Sequence, residues 1–396
     1  MVFRSNHKEV YMLTSITSKG PFSLLSKAYS LEELTVMREI EVFTCPGCRE
    51  RLDLKLGAIK RYHFAHRRKS ACDYSSEPES ERHLLGKQQL YEQLQSAGTV
   101  LLEPYLKEIG QRPDLLIETP DKKYAVEYQC SSIPAEQVER RSSGYRKIGI
   151  EPIWILGANQ LTRLSASEYR LNRFHWCFAK MIPYSSTPYL LFYSPDDQQL
   201  LQVSGLYPFS KQIFFAQVTL LAVHQVLFPP PSYRESFPLE WLRRKVYRYR
   251  QLPPPKQALP LQKHLYAKKG LPLSMIPSIV FTPTPIDYAI ETEPYIWKTW
   301  LLLWAESRKV FTLEEAVDRL WQLSMEGRVA IRGIRGPAME EVLSELGSLL
   351  LQAGFLQKGK NKQYKLIPII WHSSAEQIHS CDDEFFRLIS RVKHNL

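Results

Sequence analysis

The chain has 396 residues, a formal net charge of +11, 44% hydrophobic and 23% charged residues. That length holds two or three domains with a sizeable core, and the composition is that of a soluble globular protein. No run of about 18 uncharged apolar residues offers a membrane span. Met1 to Ser18 carry Arg4, Lys8 and Glu9 without the apolar stretch of a signal peptide, so the expected location is the cytoplasm, with no membrane partner.

Residues 1–75 read as a small N-terminal unit with strand-like segments such as Glu41-Val42-Phe43. Six cysteines in so long a chain are no disulfide framework, and two stand as Cys45-Pro46-Gly47-Cys48. His63-Phe64-Ala65-His66 and Cys72 follow, which is the knuckle-plus-distal-pair layout of a structural zinc site. Five candidates, Cys45, Cys48, His63, His66 and Cys72, compete for four places. The Pro-Gly turn lets both thiolates reach one ion, and the metal would fold a unit too small for a core of its own. A redox Cys-x-x-Cys is the competing reading, but no strand-then-helix context surrounds the pair.

Residues 76–230 carry the most informative pattern. Leu84, Leu85, Gln88, Leu90, Tyr91 and Leu94 recur at helical spacing, and Gly98 closes that helix. Strand signals follow over Val100–Tyr105, Arg112–Glu118 and Tyr124–Cys130. A helix is expected over Pro134–Lys147 and an apolar strand over Pro152–Leu156, giving the order αβββαβ. Pro120-Asp121 supplies turn chemistry between the second and third strands. If the turn centres there, Asp114 and Glu127 are cross-strand partners on one face, with Cβ atoms about 5 Å apart. Gln129 projects from the same face. Two carboxylates so close need a cation between them, and hard oxygen donors suit Mg²⁺ or Mn²⁺. Such a metal would polarise a phosphoryl oxygen and activate water. Where a lysine would orient that water the chain has Gln129, which hydrogen-bonds but carries no charge. Glu79, His83 and Lys87 form one polar line along the preceding helix, so Lys87, or Lys147 of the later helix, could supply the missing charge.

Residues 160–232, aromatic and apolar, are expected to extend this domain. Residues 231–289 read as a proline-rich basic linker or arm, because Pro229-Pro230-Pro231 and Pro253-Pro254-Pro255 flank a basic, Tyr-rich run. Residues 49–69 hold eight Arg/Lys against two acids, and residues 233–269 hold ten against two. A polyanion is the obvious partner for both blocks, a solvated surface the bland alternative. Arg67, Arg68 and Lys69, with Arg243, Arg244, Lys245, Arg248 and Arg250, are the nucleic-acid candidates, and Tyr247, Tyr249 and Tyr266 could stack on single-stranded bases. Residues 290–396 turn helical. Trp297–Glu306 is one helix, the capping box Thr312-Leu313-Glu314-Glu315 opens a second, Pro337–Ala353 is a third, and a hairpin turns at Gly359–Lys362. Three helices and a basic-tipped hairpin are the order of a winged helix, or of a plain helical packing domain.

Together, Cys45-Pro46-x-Cys48, His63-Phe64-Ala65-His66, Glu79-Ser80-x-x-His83-x-x-x-Lys87, Arg112-Pro113-Asp114 and Glu127-Tyr128-Gln129-Cys130-Ser131 resemble the competence protein CoiA family. The resemblance covers residues 40–160 by motif and the rest by length and order. It implies an N-terminal zinc-finger-like unit, a PD-(D/E)XK nuclease-like domain and a C-terminal region, in a bacterial cytoplasm. It also implies a role in natural transformation, where internalised single-stranded or branched DNA is recombined, alongside recombination proteins. Carried over by position, the acid pair is Asp114 and Glu127, Gln129 fills the lysine slot, and Glu79, or alternatively Glu81, is the helix carboxylate. Two functions follow: an Mg²⁺- or Mn²⁺-dependent deoxyribonuclease, or a non-catalytic DNA-binding accessory with an idle nuclease fold.

Overall fold

The computed structural model describes residues 11–26, 28–57, 61–66, 72, 80–181, 188–228, 239–332 and 337–394. The N-terminal unit contains β1 (Tyr11–Met12), β2 (Thr14–Thr17), β3 (Gly20–Ser23), α1 (Leu31–Ile40), β4 (Leu52–Lys55) and β5 (His63–His66). β2 and β3 form a hairpin, and β1, β5 and β4 form a three-stranded sheet in that order. Ser30 and Glu33 cap α1 reciprocally, through Glu33 N to Ser30 Oγ at 3.1 Å and Ser30 N to Glu33 Oε2 at 2.8 Å. Met12, Leu34, Phe43, Leu52, Leu54 and Phe64 are buried together in a cluster that also takes in Leu84 from beyond the unit.

The middle of the chain runs α2 (Glu81–Leu94), β6 (Thr99–Leu102), β7 (Leu115–Glu118), β8 (Lys123–Gln129), α3 (Ala135–Lys147) and β9 (Ile150–Gly157). β10 (Thr162–Arg163), β11 (Glu168–Arg170), α4 (Arg173–Trp176), β12 (Lys180–Met181), β13 (Pro188–Ser194), β14 (Gln199–Pro208) and β15 (Ile213–Leu221) follow. One mixed sheet orders these strands β10-β11-β15-β14-β13-β9-β8-β7-β6, and β12 pairs with β13. β9 lies inside it, parallel to both β8 and β13. The β7–β8 turn is fixed by Thr119, whose backbone N and Oγ1 both donate to the Lys122 carbonyl, at 3.0 and 2.8 Å. Leu115 therefore faces Val126, and Leu116 faces Ala125.

Strand alternation then divides the sheet into two faces. Leu115, Ile117, Tyr124, Val126 and Tyr128 pack with Leu90 and Leu94 of α2, each fully buried leucine contributing about 1.5–3 kcal/mol. Leu116 and Ala125 face the other way, onto Tyr145 of α3. Glu127 shares the parity of Ala125 and so points toward α3.

The C-terminal part comprises α5 (Leu239–Gln251), α6 (Leu259–Lys269), α7 (Pro294–Arg308), β16 (Val310–Thr312), α8 (Leu313–Met325), α9 (Met339–Gln352), β17 (Leu356–Lys358), β18 (Gln363–Leu366) and α10 (Ala375–His394). The Thr312–Glu315 capping box is made in both directions. The three short strands form one sheet in the order β16-β18-β17.

The stretch 231–289, read as an extended arm, departs from that expectation over its described residues, which hold helices α5 and α6. Trp241, Leu242 and Val246 on one side of α5, and Leu261 and Leu265 of α6, enter the largest core. That apolar stripe at helical spacing outweighs the arginine density that suggested an exposed arm. Lys245 and Arg250 are correspondingly withdrawn from any polyanion. Lys245 Nζ donates to the Pro208 carbonyl at 2.6 Å, and burial pulls its ammonium down to about 7. Arg250 forms a buried pair with Asp382 at 2.7 Å. Tyr249 is held by Glu293 and the Phe209 carbonyl and does not offer a free ring. Arg243, Arg244, Arg248, Tyr247 and Tyr266 stay exposed, while Arg67, Arg68 and Lys69 lie outside the described residues.

α2 lies on β8 at a glycine. A Cβ on Gly86 would sit 2.3 Å from Cε1 and 2.7 Å from Cζ of Tyr128, whose ring is buried. Alanine is the better helix former by about 1 kcal/mol, but overpacking costs about 1–3 kcal/mol. Gly86→Ala is therefore expected to lower the urea midpoint, and a raised midpoint would show that α2 does not press on this ring.

Candidate active site and metal centre

The end of the sheet where β6, β7 and β8 meet opens into a cleft of about 920 Å³. Continuing the β7–β8 register by one residue beyond Leu115 places Asp114 opposite Glu127, and both line this cleft. Continuing the β6–β7 register likewise sets Glu103 beside Asp114, with Glu103 N donating to the Asp114 carbonyl at 2.9 Å. Three acids thus stand in a row across three strands.

Two helices bring cations to that row. Lys87 of α2, 1% exposed, places Nζ 2.8 Å from Glu103 Oε1 and 3.0 Å from Asp114 Oδ1. One turn earlier, His83 Nε2 lies 3.4 Å from Asp114 Oδ2, which also accepts from Tyr128 N at 2.9 Å. From the opposite side of the sheet, Arg141 Nη2 of α3 lies 2.5 Å from Glu127 Oε1, and Tyr145, one turn on, donates its hydroxyl to the same oxygen. The other Glu127 oxygen, Oε2, has no hydrogen bond among the described residues.

These surroundings drive the two carboxyls apart. Burial would raise Asp114, but the Lys87 ammonium, His83 and the Tyr128 N–H outweigh it and hold the carboxyl well below its ordinary range. Burial dominates at Glu127, where the Asp114 charge adds to it and Arg141, Tyr145 and Lys87 only partly oppose it. Its carboxyl is pushed up to about 7. Glu103, although buried, is drawn below its usual value by Lys87 and Arg112.

The donors suit a hard divalent cation. Two carboxylates face one cleft, one has an unengaged oxygen, and Asp114's charge disfavours a second negative charge on Glu127. Asp114 and Glu127 are the residues that would hold it. Gln129 lines the same cleft, but its amide is turned onto Ser131, donating to the carbonyl at 2.9 Å and to Oγ at 3.1 Å. Lys87 rather than Lys147 carries the buried positive charge, and the exposed Lys147 lies on the cleft wall. Glu81 is exposed at the start of α2 and does not line the cleft, while Glu79 lies outside the described residues. Glu103, Arg141 and Tyr145 were not among the sequence candidates for this site.

In the N-terminal unit, Cys45, Cys48, His66 and Cys72 bring one ligand atom each within 4.8 Å of one another. The β5 strand explains why only one histidine joins. Residues three apart on a strand point to opposite faces, so His66 reaches the cysteines, with Nε2 3.3 Å from Cys48 Sγ. His63 instead sets Nδ1 2.8 Å from the Arg61 carbonyl, inside the unit. The knuckle turn ends in Arg49 with a left-handed backbone (φ 66°), and the Gly47 and Cys48 N–H groups point at the Cys45 sulfur. Three thiols and an imidazole converging in a part-buried site fit a metal of borderline softness.

Two outcomes test this geometry. A carboxyl raised by folding binds more protons folded than unfolded, so between 4.5 and about 7 the Glu127 contribution falls as pH rises. Between pH 5 and pH 8, the stability of Glu127→Gln should therefore gain relative to the parent in urea unfolding; a pH-independent difference would place Glu127 in an ordinary environment. For the cluster, Cys72→Ser should lower bound metal measured by mass spectrometry while His63→Ala retains it. The reverse pattern would reject His66 and Cys72 as the distal pair.

Comparison with known proteins agrees with this architecture. Residues 26–75, 79–230 and 239–379 match in turn the family models described as the N-terminal, nuclease-like and C-terminal domains of competence protein CoiA. A protein of Bacillus subtilis (strain 168) named Competence protein CoiA is 32% identical over 359 residues, which cover 86% of this chain and 92% of that protein. No solved structure matches the chain. With three domain models matched in order and a relative aligned over most of both lengths, the chain belongs to the competence protein CoiA family.

Proposed function

We propose that this chain acts in bacterial competence as a DNA-processing protein. Its cleft would cleave phosphodiester bonds with Mg²⁺ or Mn²⁺ held by Asp114 and Glu127, on DNA intermediates being recombined during natural transformation. The observation that carries this reading is the placing of two carboxylates, Asp114 and Glu127, at opposed register positions on one cleft, with Lys87 and His83 against the first and Arg141 against the second. Bound there, the cation would supply charge stabilisation to a phosphoryl group. Asp114 is kept anionic and oriented by Lys87, His83 and the Tyr128 N–H, so it is preorganised as a ligand. Arg140, Arg141 and Lys147 on the cleft wall offer positive charge to a DNA backbone. Within the nuclease-like domain, α2, β6–β8, α3 and β9 read as the αβββαβ core of a PD-(D/E)XK enzyme. The buried Lys87 would take over the charge of the missing strand lysine as a positioning residue, since at 1% exposure it does not reach a substrate.

Cys45, Cys48, His66 and Cys72 would hold zinc in a structural role, with three thiolates and one imidazole as ligands. In the C-terminal part, α7, β16, α8, α9, β17 and β18 follow the order of a winged helix. Its hairpin tip is basic and exposed, with Lys358, Lys360 and Lys362, but α9 presents Glu340 and Glu341. DNA contact through the tip therefore fits better than insertion of α9 into a groove.

A second reading has its own support. Gln129 carries no charge and is turned onto Ser131, and Arg141 already occupies Glu127. A DNA-binding accessory with an idle site would have these features. Labelled single-stranded, double-stranded and branched DNA, incubated with the full chain and Mg²⁺ or Mn²⁺, separates the two. Cleavage should appear and fall by at least about 100-fold in Asp114→Asn, an effect of the size expected when a group stabilising developing charge is lost. Binding without cleavage on every substrate would leave the accessory role.

A further inference from the structure

The Arg141 guanidinium hydrogen-bonds the site through one edge, with its Cζ 5.8 Å from the centre of the Trp154 ring. Its Nη2 serves the Arg112 carbonyl at 2.9 Å, Glu127 Oε1 at 2.5 Å and the Tyr145 hydroxyl at 3.3 Å. Nε and Nη1 make no hydrogen bond among the described residues, and the side chain is 19% exposed on the cleft wall. Lys87, the other cation of the row, is sealed between two carboxylates and unable to respond to a ligand. Arg141 therefore combines a permanent charge placed on a metal-ligand candidate, open donor valences, and access to the space a nucleic-acid backbone would occupy. Guanidinium is also the group best matched to a phosphate, which it grips through two parallel N–H donors.

We propose that Arg141 is a stand-in cation: it occupies Glu127 while the cleft is empty and transfers to a backbone phosphate when nucleic acid enters, clearing Glu127 for the divalent metal. The inference rests on the metal-dependent reading above and adds to it an order of events. With the cleft empty, a metal must displace the guanidinium from Glu127, which weakens its binding. Once a phosphodiester has drawn Arg141 away, that penalty is already met. Metal and nucleic acid then strengthen each other's binding reciprocally, as linkage requires. The site would remain metal-poor and inert until DNA arrives. Tyr145, fixed one helical turn along, keeps a hydrogen bond to Glu127 after Arg141 leaves and so preserves the carboxylate's orientation.

The test is Mn²⁺ affinity of the zinc-loaded full chain, read by electron paramagnetic resonance or calorimetry, with and without a nuclease-resistant phosphorothioate oligonucleotide. In the parent the oligonucleotide should tighten Mn²⁺ binding about tenfold, within the usual range of such couplings. In Arg141→Met, Mn²⁺ should bind about tenfold more tightly without oligonucleotide, and the oligonucleotide should add little. A purely structural role for Arg141 predicts the opposite, weaker metal binding in the variant. Equal affinity and equal oligonucleotide response in parent and variant overturn the proposal. Should Arg141→Met fail to fold, the parent alone decides, because an oligonucleotide that leaves its Mn²⁺ affinity unchanged overturns the proposal equally. Mn²⁺ binding that is insensitive to Asp114→Asn under all these conditions removes the metal-dependent reading itself, and this proposal with it.

Discussion

An ammonium group at 1% exposure would be several kcal/mol too costly to bury alone, and Lys87 is buried because Glu103 and Asp114 meet it at 2.8 and 3.0 Å. The three groups come from different elements, the helix α2 and the ends of β6 and β7. Removing one partner of such a buried set costs about 3–5 kcal/mol, because the others are left uncompensated. The constraint thus ties helix placement to strand register. α2 has to lie close enough for Lys87 to reach, and Gly86, packed against the Tyr128 ring, is what permits the approach.

The same ammonium sets the chemistry of the row. It lies against Asp114 and Glu103, so both stay ionised despite burial, whereas at Glu127 it acts only as a weaker, more distant influence. Glu127 feels burial and its neighbour's charge more than it feels the cations, and its proton affinity rises. Two acids that are cross-strand partners on one sheet thereby acquire different protonation behaviour from which helix faces each of them. Arg141 compensates Glu127 through one nitrogen only, a looser arrangement than the enclosure of Lys87.

What could be read from residues and what could not divides along sequence distance. The Asp114–Glu127 pairing follows from a local turn, Pro120-Asp121, and a two-residue period, and Thr119 enforces that register in the folded chain. The choice between His63 and His66 was legible in principle, since strand parity separates them. Glu103 was not, because it lies just past its strand in a left-handed conformation (φ 49°) and acquires its partners from α2 and the N-terminal unit. Arg141 and Tyr145 stand one turn apart on an ordinary-looking helix, and only the crossover of α3 onto the sheet shows where they point. The basic run of α5 misled because charge density hid the stripe of Trp241, Leu242 and Val246.

Glu103 also decides how the N-terminal unit relates to the cleft. Its Oε2 accepts from Leu13 N at 3.0 Å, Thr14 N at 3.2 Å and Thr14 Oγ1 at 2.9 Å. Those residues continue directly from β1, which pairs with β5, the strand carrying His66. A connected path of backbone pairing and hydrogen bonds therefore runs from the cysteine–histidine cluster through Glu103 and Lys87 to Asp114. A nuclease-like segment cut out at residue 79 would keep the buried Glu103 and lose the three donors that Leu13 and Thr14 supply, leaving Lys87. An unmet buried carboxylate draws a proton or opens to water, and either response loosens Lys87 and with it Asp114. Among the described residues, the N-terminal unit does not line the cleft but stands behind it, holding Glu103 in the place from which Glu103 fixes Lys87 and Lys87 fixes Asp114.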